Sequence, residues 1–122
     1  MGYITSYKPE TGFDTPERCH IIELSNSEKD PACSIAKATV KPGVTTQLHN
    51  LSGIIERYVI LAGEGYVEIN STQPAIVKKF DVVIIPVGIS QKITNTGTTD
   101  LEFLCICTPR FKEKAYASME PG

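Results

Sequence analysis

Short apolar runs follow one another along this chain at hairpin spacing, and almost none is long enough to form a helix. They fall at residues 19–24, 33–40, 44–51, 57–61, 65–69, 76–77, 82–85, 91–94 and 101–107. Runs of this length bounded by Gly, Pro, Asn and Asp clusters read as strands. The breakers between them include Asn26-Ser27-Glu28-Lys29-Asp30-Pro31, Lys41-Pro42-Gly43 and Ala62-Gly63-Glu64, then residues 70–74 and 95–100. In Lys41-Pro42-Gly43 and Pro86-Val87-Gly88, fixed and positive φ lie close together, so each makes a tight reversal that aims the following strand. Both prolines stand at strand ends, where a missing ladder donor is tolerated. Alternation within the runs is imperfect, as expected of strands covered on both faces. The pattern predicts an all-β sandwich or closed barrel. Residues 1–16 are broken by Pro9, Gly12 and Pro16 and read as an N-terminal arm, residues 17–111 as the barrel and 112–122 as a tail. Helix-like spacing over residues 109–119 predicts that this tail is helical.

Composition narrows the class. A chain of 122 residues is one domain, and such a domain buries roughly two-thirds of the surface its unfolded chain exposes. With 41% hydrophobic and 21% charged residues, neither disorder nor a membrane protein is indicated. No apolar run approaches the ~20 residues of a spanning helix. The net charge is −2 and the 12 Lys and Arg are scattered, which excludes a nucleic-acid footprint. The first residues carry neither a basic n-region nor an apolar h-region, so a cytoplasmic protein is expected. The four cysteines, Cys19, Cys33, Cys105 and Cys107, are then expected to stay reduced. Cys105 and Cys107, two apart in one run, face the same side.

The chemistry concentrates in two stretches. Counting from Gly43, five residues intervene before His49; Leu51 follows, four more precede Glu56, and six separate Glu56 from Gly63. The second stretch carries Asp81, Pro86, Gly88, Gln91 and Asn95. Together these resemble the two motifs of the cupin superfamily, and the pattern His-x-Leu, Glu-Arg-Tyr, Cys-Thr-Pro-Arg-Phe resembles a group of small bacterial cupins. The resemblance implies a double-stranded β-helix, the jelly-roll barrel. It also implies a metal site in the barrel, whose usual ligands are two histidines and a glutamate of the first motif and a histidine of the second. Here Leu51 stands at the second histidine position, Gln91 at the third, and Phe80 where a glycine is common.

The implied metal residues are therefore His49, Glu56 and Gln91. A neutral amide is a weaker donor than imidazole to a first-row metal. One divalent transition metal (Fe, Mn, Zn or Ni) would accordingly be weakly held. The other reading of His49 and Glu56 is a buried hydrogen-bonded pair, because a bare carboxylate in an apolar barrel needs a partner or a metal. Gln47 shares the face of His49 under period-two alternation and Tyr58 that of Glu56, which makes both candidates for substrate binding as well as ordinary lining. Cys105 and Cys107 are a soft ligand pair or simple packing. No Ser-His set is available for nucleophilic catalysis. Three functions remain open: a metal-dependent oxygenase or isomerase on a small organic substrate, a binding or sensor module with a degenerate metal site, and a structural protein. A small-molecule ligand is the expected partner, without nucleic acid or membrane. A homodimer is also expected, through strands and the 19–40 region, because apolar residues occupy both faces of several strands.

Overall fold

The computed structural model describes residues 2–121. Eleven strands form: β1 (Phe13–Asp14), β2 (His20–Ser25), β3 (Ser34–Val40), β4 (His49–Leu51), β5 (Ile55–Ala62), β6 (Gly65–Ile69), β7 (Ala75–Val77), β8 (Val82–Ile85), β9 (Gln91–Asn95), β10 (Leu101–Thr108) and β11 (Tyr116–Ser118). They build two antiparallel sheets, a six-stranded one in the order β1-β2-β3-β10-β5-β8 and a five-stranded one in the order β11-β4-β9-β6-β7. The inner faces meet around Val40, Ile60, Val67, Ile93, Leu101 and Phe103, all nearly inaccessible to solvent. Burial alternates along β5 and β9, as a half-buried strand requires.

Turn chemistry holds the sheets in register. Gly63 joins β5 to β6 at φ +82°, and a Cβ there would come within 2.6 Å of the Asp100 carbonyl oxygen, so both conformation and space require glycine. Asn95 ends β9 fully buried. Its amide nitrogen donates to the carbonyls of Val40 and Thr99 at 2.8 Å each, and its oxygen accepts the Gly97 amide at 2.8 Å. All its polar capacity therefore goes into tying turns together.

Two expectations change. The tail is not helical: residues Glu113–Ala115 make a single 3₁₀ turn, and β11 follows. Its backbone pairs with β4, Tyr116 opposite Leu51 and Ser118 opposite His49. An open sheet edge supplied more hydrogen-bond partners than a short isolated helix, which is marginal by itself. The run at 44–51 is a strand only over its last three residues, preceded by a single bridge from Thr45 to Thr94. The Thr46 amide donates to the Ile93 carbonyl at 2.9 Å, but the Gln47 amide turns away to the carbonyl of Glu17 at 3.0 Å. A loop ahead of β2 has captured this backbone.

Candidate functional site

Alternation along β5 sends Glu56 and Tyr58 inward from the six-stranded sheet. Alternation along β4 and β9 sends His49, Leu51 and Gln91 inward from the other sheet. Gln91 lies opposite His49 in the β4–β9 register, and Cys107 lies opposite Glu56 in the β10–β5 register. The sheets are joined through these side chains. The Gln91 amide nitrogen donates to Glu56 Oε1 at 2.6 Å, the Tyr58 hydroxyl donates to Gln91 Oε1, and the Cys107 thiol lies 3.6 Å from Glu56 Oε2. Gln91 is completely buried. Tyr58 is tilted against Phe103 at 4.5 Å between ring centroids.

Burial is the main force on the charges here. It pushes the Glu56 carboxyl above its ordinary value, against the Gln91 hydrogen bond and the nearby His49, which favour the charged form. The Tyr58 hydroxyl and the thiols of Cys19, Cys105 and Cys107 are raised as well, chiefly by burial, which favours their protonated forms.

His49 is set by both ends of the chain. Its Nδ1 lies 2.7 Å from the Gln47 carbonyl, which can only accept, so Nδ1 carries the proton and Nε2 faces the cavity. The Tyr116 ring stacks on the imidazole at 4.8 Å and 19°. Glu17 enters from the loop ahead of β2 and brings Oε2 to 3.7 Å from Nε2, while its Oε1 accepts the Cys19 thiol at 3.1 Å. Next to it Arg18 donates to the Thr45 carbonyl at 2.8 Å and pairs with Glu120 at 2.7 Å. Glu120 also accepts the Leu48 amide at 3.0 Å. The loop ahead of β2 and the segment after β11 are thus clasped together beside His49.

Two spaces adjoin these groups. A small one of about 60 Å³ is lined by His49, Leu51, Glu56, Tyr58, Glu17 and Tyr116, among others. A larger one of about 700 Å³ opens to the surface past Glu17, Glu56, Cys105, Cys107 and Phe111, with Arg110 and Lys112 as its only positively charged lining residues among those described. The Arg110 Nη1 donates to Asn26 Oδ1 at 2.9 Å.

Of the five residues singled out from sequence, Glu56, Gln91 and Tyr58 form one hydrogen-bonded chain. His49 lines the small space beside them. Gln47 lines neither space; its side-chain oxygen accepts the Tyr116 hydroxyl at 2.5 Å. Its assignment to the face of His49 rested on a strand that residues 44–48 do not form. Glu17 and Tyr116 were not anticipated. Glu17 sits in a Thr-Pro-Glu-Arg turn with no periodicity to aim it, and Tyr116 lay in the segment read as helix.

The residues at the superfamily's metal position do not fit a metal. Both Glu56 oxygens and the Gln91 oxygen already accept hydrogen bonds, and Gln91 turns toward Glu56 a nitrogen that has no lone pair to give. Among the described residues, no three histidine, cysteine or carboxylate side chains are grouped to hold an ion.

Comparison with known proteins places this architecture. The family model described as the cupin domain matches residues 36–107. The oxalate-binding protein of Thermotoga maritima is 37% identical over 90 residues, which cover 74% of this chain and 73% of that protein. An uncharacterized protein of Methanocaldococcus jannaschii is 35% identical over 112 residues, covering 90% and 89%. Among solved structures, a predicted oxalate decarboxylase from Thermotoga maritima is similar with a TM-score of 0.69 and 34% identity over 75% of this chain and 80% of that one. With the two motifs on facing strands of the barrel, the chain belongs to the cupin family.

Proposed function

We propose that this cupin binds a small organic acid in its open cavity without a metal at the superfamily's usual position. The observation that carries this reading is the closed hydrogen-bond chain Cys107–Glu56–Gln91–Tyr58. It engages Glu56, Gln91 and Tyr58 with one another, and Glu56 and Cys107 at one end of it border the cavity of about 700 Å³. That volume suits a small ligand, and the lining mixes apolar side chains with four carboxylates (Glu17, Glu23, Glu56 and Glu113) and two cations (Arg110 and Lys112). Arg110 in the cavity lining is the natural anchor for a carboxylate, since its planar fork matches one bidentately. The Thermotoga maritima relative named an oxalate-binding protein supports this ligand class.

The test is titration calorimetry with oxalate and other short mono- and dicarboxylates on the wild type and on Arg110→Gln. The reading predicts saturable binding that weakens about tenfold in the variant, the worth of one charge-assisted hydrogen-bonding group. If no short carboxylate binds, or if Arg110→Gln binds as tightly as the wild type, the reading fails.

One feature favours a second reading, that of an enzyme catalysing proton transfer. His49 has a fixed tautomer, a cavity-facing Nε2 and a carboxylate next to it on Glu17, the arrangement of a general acid–base group. Binding with no turnover of any bound acid, followed by NMR, would leave the protein a binding module. Deuterium exchange at a ligand carbon that is lost in His49→Gln would make it an enzyme. The four free cysteines fit a reducing compartment such as the cytoplasm. No helix among the described residues is long and apolar enough to cross a membrane.

A further inference from the structure

The two spaces beside His49 differ in the charges they offer a ligand. The carboxylates of Glu17 and Glu56 border both, so the spaces meet along those side chains. The cations Arg110 and Lys112 line the larger space, whereas no lysine or arginine lines the smaller one among the described residues. A ligand that reaches from the larger space into the smaller one leaves cations behind and meets carboxylates.

The smaller space also holds a buried nitrogen without a partner. His49 is 4% exposed. Its Nδ1 spends its proton on the Gln47 carbonyl at 2.7 Å, so the Nε2 lone pair faces the space. Glu17 Oε2 stands 3.7 Å from Nε2, beyond the roughly 2.7–2.9 Å of a charge-assisted hydrogen bond. Two acceptors therefore face one gap, and a buried acceptor left unpaired is costly. The donors around them are largely committed. The Tyr116 hydroxyl donates to Gln47 at 2.5 Å, the Tyr58 hydroxyl to Gln91, and the Cys19 thiol to Glu17 Oε1 at 3.1 Å. The Thr46 hydroxyl and the Cys105 thiol remain, and both are neutral groups that cannot balance a carboxylate. What the space lacks is a positively charged donor. Its volume of about 60 Å³ admits a group the size of an ammonium.

We propose that the ligand of this cavity is an amino acid, its carboxylate held at Arg110 in the larger space and its ammonium group donating to Glu17 and to His49 Nε2 in the smaller one. This rests on the reading of the cavity as a site for small organic acids and names the class of acid. Ile21 and Phe111 line both spaces and offer apolar surface to the carbon skeleton between the two charged groups. A plain dicarboxylate would instead bring a second negative charge toward Glu17 and Glu56, which no cation there offsets.

Titration calorimetry with glycine, leucine, β-alanine and γ-aminobutyrate tests this. Each is compared with the same acid lacking the amine and with the acid carrying a hydroxyl in its place. At least one amino acid should bind about tenfold more tightly than both counterparts, the worth of one charge-assisted hydrogen bond. Glu17→Gln keeps the shape and removes the charge, and should take away most of that advantage. A second readout needs no variant: nitrogen NMR of the labelled wild type should show the His49 Nε2 resonance moving with the amino acid and not with the acid lacking the amine. Equal affinity within every trio, an advantage undiminished in Glu17→Gln, or an Nε2 resonance that does not respond overturns the inference. Arg110-dependent binding of the plain acids would then leave the organic-acid reading standing. Absence of binding by all of these acids overturns both.

Discussion

Glu56 is a largely buried carboxyl group, 7% exposed, with Gln91 and Cys107 as its hydrogen-bond donors. Burial raises its folded-state pKa above the ordinary glutamate value. For a group shifted this way, folding favours the protonated form. Its contribution to stability is full below about pH 4.5 and is lost as the pH rises through the folded-state value. Glu56→Gln keeps the shape and the Gln91 donor while removing the titration. Urea unfolding at about pH 5 and about pH 8 should show the wild type losing stability relative to the variant as the pH rises. A constant difference between the two would mean that Glu56 is not titrating in this window. Sequence alone placed this residue well: period-two alternation and motif spacing sent Glu56, Tyr58, His49 and Gln91 inward. It left Glu17 unseen, because a side chain on an irregular loop has no period to betray its direction. The same limit misplaced Gln47, whose segment is drawn off its strand by the Glu17 carbonyl.

Elements at the chain ends do more than close the barrel. β11 supplies Tyr116, which stacks on His49 and donates to Gln47. Tyr116→Ala should therefore loosen β11 and the imidazole together, at a cost of about 2 kcal/mol from the lost stack and hydrogen bond. Amide exchange should quicken at residues 116–118 and 49–51; exchange confined to the tail would show that β4 does not depend on it. The tail was misread because helical spacing is only local information, whereas its strand conformation comes from the β4 edge some 65 residues away in sequence. The Ala62-Gly63-Glu64 turn was legible because its glycine is demanded by φ and by the nearby Asp100 backbone. Gly63→Ala should destabilise by about 2 kcal/mol or more, measured by thermal unfolding. Leu51 and Gln91 together tell what β4 and β9 have become. Leu51 lines the small space beside His49 and Glu56, so Leu51→His combined with Gln91→His should free Glu56 and assemble imidazoles around it. Metal content after gel filtration should rise from substoichiometric toward one ion per chain. No gain would show that the strands have drifted from metal-binding geometry.

At the scale of the whole molecule, the two sheets do different work. Their inner faces share polar groups that are hydrogen-bonded to one another, and the lining of the larger cavity carries Arg110 and Lys112 as its positive charges among the described residues. The fold was readable from run lengths and turn residues because a jelly-roll barrel writes each strand as a short segment between breakers. The function was less readable. The ligand-bearing motif positions are present, but what they do depends on which hydrogen bonds the side chains have already made, and spacing does not encode that. The central claim is that ligand binding here needs no metal. Its direct test is oxalate titration of the protein before and after exhaustive dialysis against a chelator, with metal content measured on both samples. Equal affinity in the two samples is the predicted result. Binding that vanishes with the chelator and returns on adding a divalent cation would contradict the account.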